Sequence, residues 1–477
     1  MKSGRIIILS PMLALSLLSP LRGEGKAATG IEGNWLGTLS TGGGELRIVF
    51  RVAKNPDSAW KVLLDSPDQG AEGIPTSAVS FDQDHLRVES QAVAGIFEGD
   101  FSPEKDEISG VWKQGGMELP LVLKRTEKIV PRQRPQEPRK PYPYLEEEVV
   151  YENRAAGIRL AGTLTLPQGS GPYPAAILIT GSGAEDRNET VFGHRPFLVL
   201  ADALTRRGIA VLRSDDRGIG GSTGSESQST SADFALDVLT GVTFLKNRRD
   251  IDPGHIGLIG HSEGGLIAPL AAAREPAAVA FVVMLAGPGL PGDEILRLQG
   301  DLINRAGGDS EQVVAEKGEV QEKVLAVVKA EKDDAAAAAK LRAILAEAVV
   351  KMDPQTRKDF PPAAQEAQIK EVLSPWFRFF LSYDPRPTLM KVRCPVLALN
   401  GEKDLQVPPR ENVRAVADAL AAGGNRRVTV KVLAGLNHLF QTCQTGSPSE
   451  YVKIEETFAL AALQLIGDWI LEQTRPQ

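Results

Sequence analysis

Two hydrophobic rhythms divide the chain. From Gly33 to about Lys124 apolar positions return every second residue: Leu46, Ile48, Phe50 and Val52 alternate with Glu45, Arg47, Val49 and Arg51. Trp60-Val62-Leu64, Leu86-Val88, Ile108-Trp112 and Leu119-Leu121-Leu123 repeat the period, with turn formers at Thr41-Gly-Gly-Gly44, Asn55-Pro-Asp57 and Ser102-Pro103 between them. Successive side chains of a strand point to opposite faces, so short runs of this kind predict a small antiparallel barrel or sandwich over 29–127. Trp35, Trp60 and Trp112 read as its core rather than as a ligand site.

From about Glu146 the rhythm changes to strands alternating with helices. Glu147–Tyr151 and Ile158–Leu166 suggest a leading hairpin, and strands are expected at 175–180, 209–213, 256–260, 279–285, 396–400 and 427–433. Helices are expected at 197–207, 232–247, 266–274, 411–421 and 454–472. Continuous apolar strands between helices predict a mostly parallel sheet covered on both faces, over 145–477. The alternation stops between about Gly287 and Lys391, where charged, Ala-rich sequence such as Leu341–Val350 predicts a helical cap inserted over the sheet. Trp376, Phe377, Phe379 and Phe380 near its end either line an acyl pocket or dock the cap. Between the two regions, prolines every two to four residues from Pro131 to Pro143 predict an extended, semi-rigid spacer over 128–144.

Charge and termini narrow the field. The net charge of −7, without a Lys/Arg cluster, argues against a nucleic-acid partner. A basic start (Lys2, Arg5) and an apolar run from Ile6 to about Leu21 read as a signal peptide over 1–28, so the mature protein is expected in the periplasm or secreted, without a membrane span. Cys394 and Cys443 are expected to be free thiols, because the loops that carry them belong to opposite ends of one sheet. No metal-ligand spacing occurs, and Gly218-Ile-Gly-Gly-Ser-Thr-Gly224 lacks the spacing of a dinucleotide loop, so no cofactor is expected.

The candidate chemistry centres on Ser262. The apolar run Ile256, Leu258, Ile259 enters Gly260-His-Ser-Glu-Gly264 and continues into an Ala-rich helix. A turn sharp enough to lift a serine hydroxyl off a sheet leaves no room for Cβ atoms two residues either side, hence the two glycines. Of five histidines, His85 belongs to the β-region, His255 to the wrong end of the elbow strand, and His261 points away from its neighbour. His194 could approach only from the oxyanion side. His438, just after the last strand, is left as the base. Asp404, 438 − 404 = 34 residues upstream in the loop beyond the preceding strand, is the carboxylate that orients it, in preference to Glu402. The oxyanion donors are expected to be the backbone N–H groups of Glu263 and Ser182, with Gly183 in reserve. Glu185, Asp186 and Arg187 are read as bracing the Ser182 loop by ion pairs, and Asp215-Asp-Arg217 as doing similar work.

Five stretches in this order carry a family resemblance: Thr180-Gly-Ser-Gly183, Ser214-Asp-Asp-Arg-Gly218, Gly260-His-Ser-Glu-Gly264, Cys394–Asp404 and Gly435-Leu-Asn-His438. Residues from about 146 to 475 resemble the α/β-hydrolase superfamily, in particular bacterial capped carboxylesterases grouped with dienelactone hydrolases and serine aminopeptidases. The resemblance implies a serine nucleophile, an acyl-enzyme and no cofactor. Gly33-Asn-Trp35 resembles the opening of lipocalin-like barrels, a domain most such esterases lack. The expected activity is hydrolysis of small, short-acyl esters, with a serine aminopeptidase-like activity or a non-catalytic binding role as the alternatives.

Overall fold

A computed structural model describes residues 30–475, apart from 42–43, 56–58, 68–70, 115–116, 128–133, 353–356 and 358–359. The expected signal peptide, parts of the turns after Thr41 and Asn55, and the first residues of the Pro-rich stretch lie outside the described residues.

The period-two region forms nine strands: β1 (Gly33–Thr41), β2 (Gly44–Lys54), β3 (Trp60–Ser66), β4 (Ala71–Pro75), β5 (Ala78–Asp82), β6 (His85–Ser90), β7 (Gly95–Ser102), β8 (Glu107–Gln114) and β9 (Met117–Arg125). They pair antiparallel in the order β4-β3-β2-β1-β9-β8-β7-β6-β5. The sheet curls so that inward residues from its whole width, among them Trp35, Phe50, Phe97 and Trp112, share one core. Phe50 meets Phe97 edge to face at 5.1 Å, an arrangement that suits the ring quadrupoles. Trp60 stays at the rim, half-buried, with the Lys54 ammonium 4.5 Å over its ring. Strands β4 and β5 were not evident from hydrophobicity, because every residue of β5 is exposed or half-buried.

The second region is built on β10 (Leu145–Asn153), β11 (Ile158–Leu166), β12 (Tyr173–Ile179), β13 (Ala210–Ser214), β14 (Ile251–His261), β15 (Val282–Leu285), β16 (Val396–Gly401) and β17 (Val428–Leu433). Their order is β10-β11-β13-β12-β14-β15-β16-β17. The six strands from β13 to β17 run parallel, and the β10–β11 hairpin closes one edge antiparallel. Alternation splits each apolar run between two cores: Ala175, Ile177 and Ile179 pack on one face of β12, Ala176 and Leu178 on the other. Helices α1 (Pro196–Thr205), α2 (Ser231–Lys246) and α3 (Gly264–Arg274) connect the early strands.

The insertion consists of α4 (Gly292–Ala306), α5 (Glu311–Ala330), α6 (Asp334–Lys351), α7 (Pro362–Val372), α8 (Pro375–Ser382) and the short α9 (Arg386–Leu389). It has its own core of Leu296, Val324, Leu341, Phe377 and Phe380 among others. Helices α10 (Pro409–Ala422), α11 (Pro448–Tyr451) and α12 (Leu460–Gln473) complete the sheet region. The last helix starts at Leu460 rather than 454, because residues 457–459 hydrogen-bond elsewhere: Thr457 and Phe458 N–H donate to Gln136 Oε1, and Ala459 N–H to the Phe440 carbonyl.

The Pro-rich stretch, expected as an extended, semi-rigid spacer, makes such bonds at residues 134–136. The Arg134 guanidinium donates to the carbonyls of Phe192, Gly193, Val452 and Ile454, and Gln136 Nε2 to that of Phe458. Residues 134–136 thus clamp two loops of the sheet region. Both cysteines are free thiols. Among the described residues no helix is long and apolar enough to cross a membrane, and no group of three or more His, Cys, Asp or Glu could hold a metal ion.

Candidate active site

The elbow follows from sterics. Ser262 has φ +52, a left-handed backbone that L-residues adopt only under constraint. A Cβ on Gly260 would stand 1.9 Å from the Gly264 carbonyl oxygen, and one on Gly264 would stand 2.1 Å from the Ile179 carbonyl oxygen. The strained turn is held from below by the Ser262 N–H donating to the Leu285 carbonyl at 2.8 Å. Ser262 itself is only half-buried, at the N-terminus of α3.

Loops at the C-terminal ends of neighbouring strands bring the other residues in. Asp404, beyond β16, is 1% exposed, and its Oδ2 lies 2.8 Å from His438 Nδ1. Its Oδ1 accepts the N–H groups of Gln406 and Val407 at 2.8 and 2.9 Å, so the carboxylate is fixed by three donors. Glu402 faces elsewhere, accepting the Gly435 N–H at 2.9 Å and so bracing the loop that carries His438.

His438 reaches the elbow through His261. The His261 Nε2 lies 2.9 Å from the His438 carbonyl oxygen, and the two rings are 4.8 Å apart. On its other side, His261 Nδ1 meets Glu189 Oε1 at 2.7 Å, and that same oxygen accepts the Gly181 N–H at 3.1 Å. Burial alone would depress the His261 pKa, but the Glu189 carboxylate outweighs it and the pKa is raised. His261 therefore ties the Gly181 loop to the His438 loop, a part that nothing in its sequence neighbourhood discloses. His194 lies buried between Thr457 Oγ1 (3.1 Å) and the Tyr451 carbonyl (3.0 Å). His255 pairs with Asp252 and His85 with Asp100, each within its own element or hairpin.

The Ser182 loop packs directly on the elbow: a Cβ on Gly181 would lie 3.4 Å from Ser262 Cβ. Gly183 has φ +106, a conformation suited to glycine. The expected ion pairs of this loop are present in part. Arg187 binds Asp215 through two nitrogens, at 2.9 and 2.7 Å, and Glu148 at 2.5 Å. Arg217 binds Asp237 instead. Glu185 departs from the expectation. It is buried facing Glu189 and Asp216, and burial together with those carboxylates pushes its pKa well above the ordinary range. Asp216, which accepts from Thr180 Oγ1 and the Glu185 N–H, is likewise raised well above its usual value by burial.

Glu263, considered at first only for its backbone, has a side chain that is 2% exposed. Its carboxylate accepts from Ser231 Oγ at 2.6 Å and from the Trp376 indole Nε1 at 2.8 and 2.9 Å, beside the Ser182 hydroxyl. Burial pushes its pKa up to about 7, against the effect of those bonds and with the help of the Glu226 charge. Of the four cap aromatics, Phe377 and Phe380 belong to the cap core, and Phe379 stacks on Tyr383. Trp376 alone reaches the elbow.

The chain is similar to several known proteins. Residues 156–433, more than half of the chain, match the X-Pro dipeptidyl-peptidase (S15 family). Esterase EstD of Thermotoga maritima is 27% identical over 311 residues, covering 65% of this chain and 65% of that protein, just under two thirds of the relative's own length. Among solved structures, an esterase of Pyrococcus furiosus is similar at 17% identity and TM-score 0.41, covering 70% of this chain and 91% of that one. Proline iminopeptidase of Mycobacterium smegmatis is similar at 16% identity and TM-score 0.42, covering 69% and 98%.

Proposed function

The chain belongs to the X-Pro dipeptidyl-peptidase (S15) family, and we propose that it is a hydrolase of the esterase/peptidase type, a serine carboxylesterase acting on small, short-acyl esters. The observation that carries this reading is the buried Asp404–His438 pair, at 2.8 Å, held against the elbow by His261. In the proposed reaction Ser262 Oγ attacks the acyl carbon while His438 Nε2 takes its proton. Asp404 keeps the other proton on Nδ1 and stabilises the imidazolium. The backbone N–H groups of Glu263 and Ser182 receive the charge that develops on the carbonyl oxygen. His438 then protonates the departing alcohol, and a water deprotonated by the same imidazole releases the acid and restores Ser262.

The test is turnover of p-nitrophenyl acetate and butyrate by the Ser262→Ala variant, alongside fluorophosphonate labelling of the wild type. A loss of several orders of magnitude, with the label mapped to Ser262, supports the reading. Undiminished turnover in the variant rejects it.

A second reading is a peptidase that binds a free amino terminus. What favours it is the set of carboxyls beside the elbow: Glu263, the half-buried Glu226, whose pKa burial raises, and Glu371, raised by burial and by the Glu226 charge. Such a group would suit an ammonium. Faster turnover of aminoacyl or X-Pro anilides than of acyl esters would select this reading.

A further inference from the structure

Helix α8 meets the sheet region at α2 and at the short turn Glu226–Gln228. Within that contact one side chain leaves the cap core. The Trp376 ring stacks on Phe380, with centroids 5.7 Å apart and planes 9° from parallel, so its orientation is set by the cap. Its N–H nevertheless ends on a carboxylate 113 residues earlier, in the residue after Ser262. The same carboxylate takes the hydroxyl of Ser231, the first residue of α2, and the Ser182 hydroxyl stands beside it. Three separate pieces of the fold, namely the cap, α2 and the elbow, therefore meet on two oxygen atoms, next to the Ser182 loop.

We propose that Glu263 and Trp376 are positioning residues: through their hydrogen bond the seating of the cap sets the geometry of the oxyanion corner formed by the Glu263 and Ser182 backbones. This rests on the reading of Ser262 as nucleophile. A cap that lifts takes the Trp376 donor with it, and the Glu263 carboxylate then loses one of the bonds that hold it. An oxyanion donor acts through geometry fixed before the reaction, so a small displacement of the corner lowers the rate of acyl transfer more than the binding of a small ester. Elsewhere around the carboxylate stand charged or titratable groups on three elements: Glu226 on the short turn, Asp216 after β13, and Glu371 on α7, which faces Glu226.

Three variants separate the hold from the charge. Trp376→Phe keeps a ring for the Phe380 stack but has no N–H, Glu263→Ala removes the acceptor, and Glu263→Gln keeps a neutral acceptor. Amide hydrogen exchange of 375–382 is measured with each change in a Ser262→Ala background, where it does not depend on turnover. Steady-state kinetics on p-nitrophenyl acetate are measured with Ser262 intact. We expect exchange to rise at least about fivefold, and kcat to fall about tenfold with KM within about threefold, for Trp376→Phe and Glu263→Ala, with Glu263→Gln recovering part of the loss seen in Glu263→Ala in both readouts. Exchange and kcat within twofold of wild type in both Trp376→Phe and Glu263→Ala overturn the proposal. So does an equal fall in kcat in Glu263→Ala and Glu263→Gln with Trp376→Phe at the wild-type rate and exchange unchanged, which would assign the effect to charge. If Ser262→Ala retains turnover, the esterase reading fails, and the exchange data still decide whether Trp376 holds the cap.

Discussion

Replacing Asp404 by Asn changes no volume and tests the proposed base directly. The Oδ1 side of Asp404 faces two backbone donors, the N–H groups of Gln406 and Val407, while Oδ2 faces His438 Nδ1. An Asn amide must therefore point its oxygen at the two N–H groups and its NH2 at the imidazole. Nδ1 then has to accept, the ring proton moves to Nε2, and His438 can no longer take a proton from Ser262. Turning the amide over would set its NH2 against two buried donors. At about 0.5–1.5 kcal/mol for each lost bond, with a further about 1–3 kcal/mol for the unsatisfied groups, that orientation lies about 3 kcal/mol higher, a population of about one in a hundred. Losing the charge that stabilises the imidazolium, a hydrogen bond worth about 1.5–3 kcal/mol, adds another one to two powers of ten. Asp404→Asn should thus lower kcat on p-nitrophenyl butyrate by about 10³–10⁴, with the far-ultraviolet circular dichroism of the native fold retained. Glu402→Gln, which alters an exposed acceptor of a single N–H, should stay within about threefold of wild type. A fall of less than tenfold in Asp404→Asn would refute the assignment of Asp404 and His438 as the orienting pair.

Three further outcomes are expected. Gly264→Ala brings a Cβ to 2.1 Å from the Ile179 and 2.6 Å from the Thr180 carbonyl oxygen; the strand or the helix must move, at a cost of about 3 kcal/mol or more, visible as a large drop in melting temperature or loss of soluble protein. Arg134→Ala releases four carbonyls on two loops, and urea unfolding should show a loss of about 2–3 kcal/mol, while a chain beginning at residue 145 should melt below one beginning at 134. Glu263 has a folded pKa of about 7, above its unfolded value of 4.5, so the fold holds this proton more tightly than the unfolded chain does. Its contribution is complete below pH 4.5 and is lost as pH rises through 7, an effect of about 3 kcal/mol. Glu263→Gln should accordingly raise the melting temperature at pH 8 and not at pH 4.5; an equal shift at both would contradict the raised pKa.

Much of the site was legible because its demands are local. Gly260 and Gly264 flank Ser262 since no Cβ fits there, and the strand before and helix after them follow from periodicity. Asp404 and His438 were reachable by order of strands, because residues just past the ends of parallel strands collect at one edge of the sheet. Strands β4 and β5 were not legible, since an edge strand without buried residues has no period to read. The start of the last helix was overestimated for a different reason. Residues 454–459 have helical propensity, but Gln136 and Phe440 take up the N–H groups of 457–459.

By itself, then, the sequence determined the two rhythms, the elbow and the order in which candidate side chains arrive at the top of the sheet, because period and backbone crowding act over a few residues. Only the tertiary structure decided which polar groups meet: Glu263 with Trp376, His261 with Glu189 and the His438 carbonyl, Arg134 with two loops more than fifty residues away in either case. Such pairs depend on how docked layers orient side chains separated by 58 to 320 residues, and a buried carboxylate or guanidinium finds its donors or acceptors wherever burial has left them unsatisfied. The chain shows a serine on a tight turn; the packing around it shows that the residue after the serine is hydrogen-bonded to the cap.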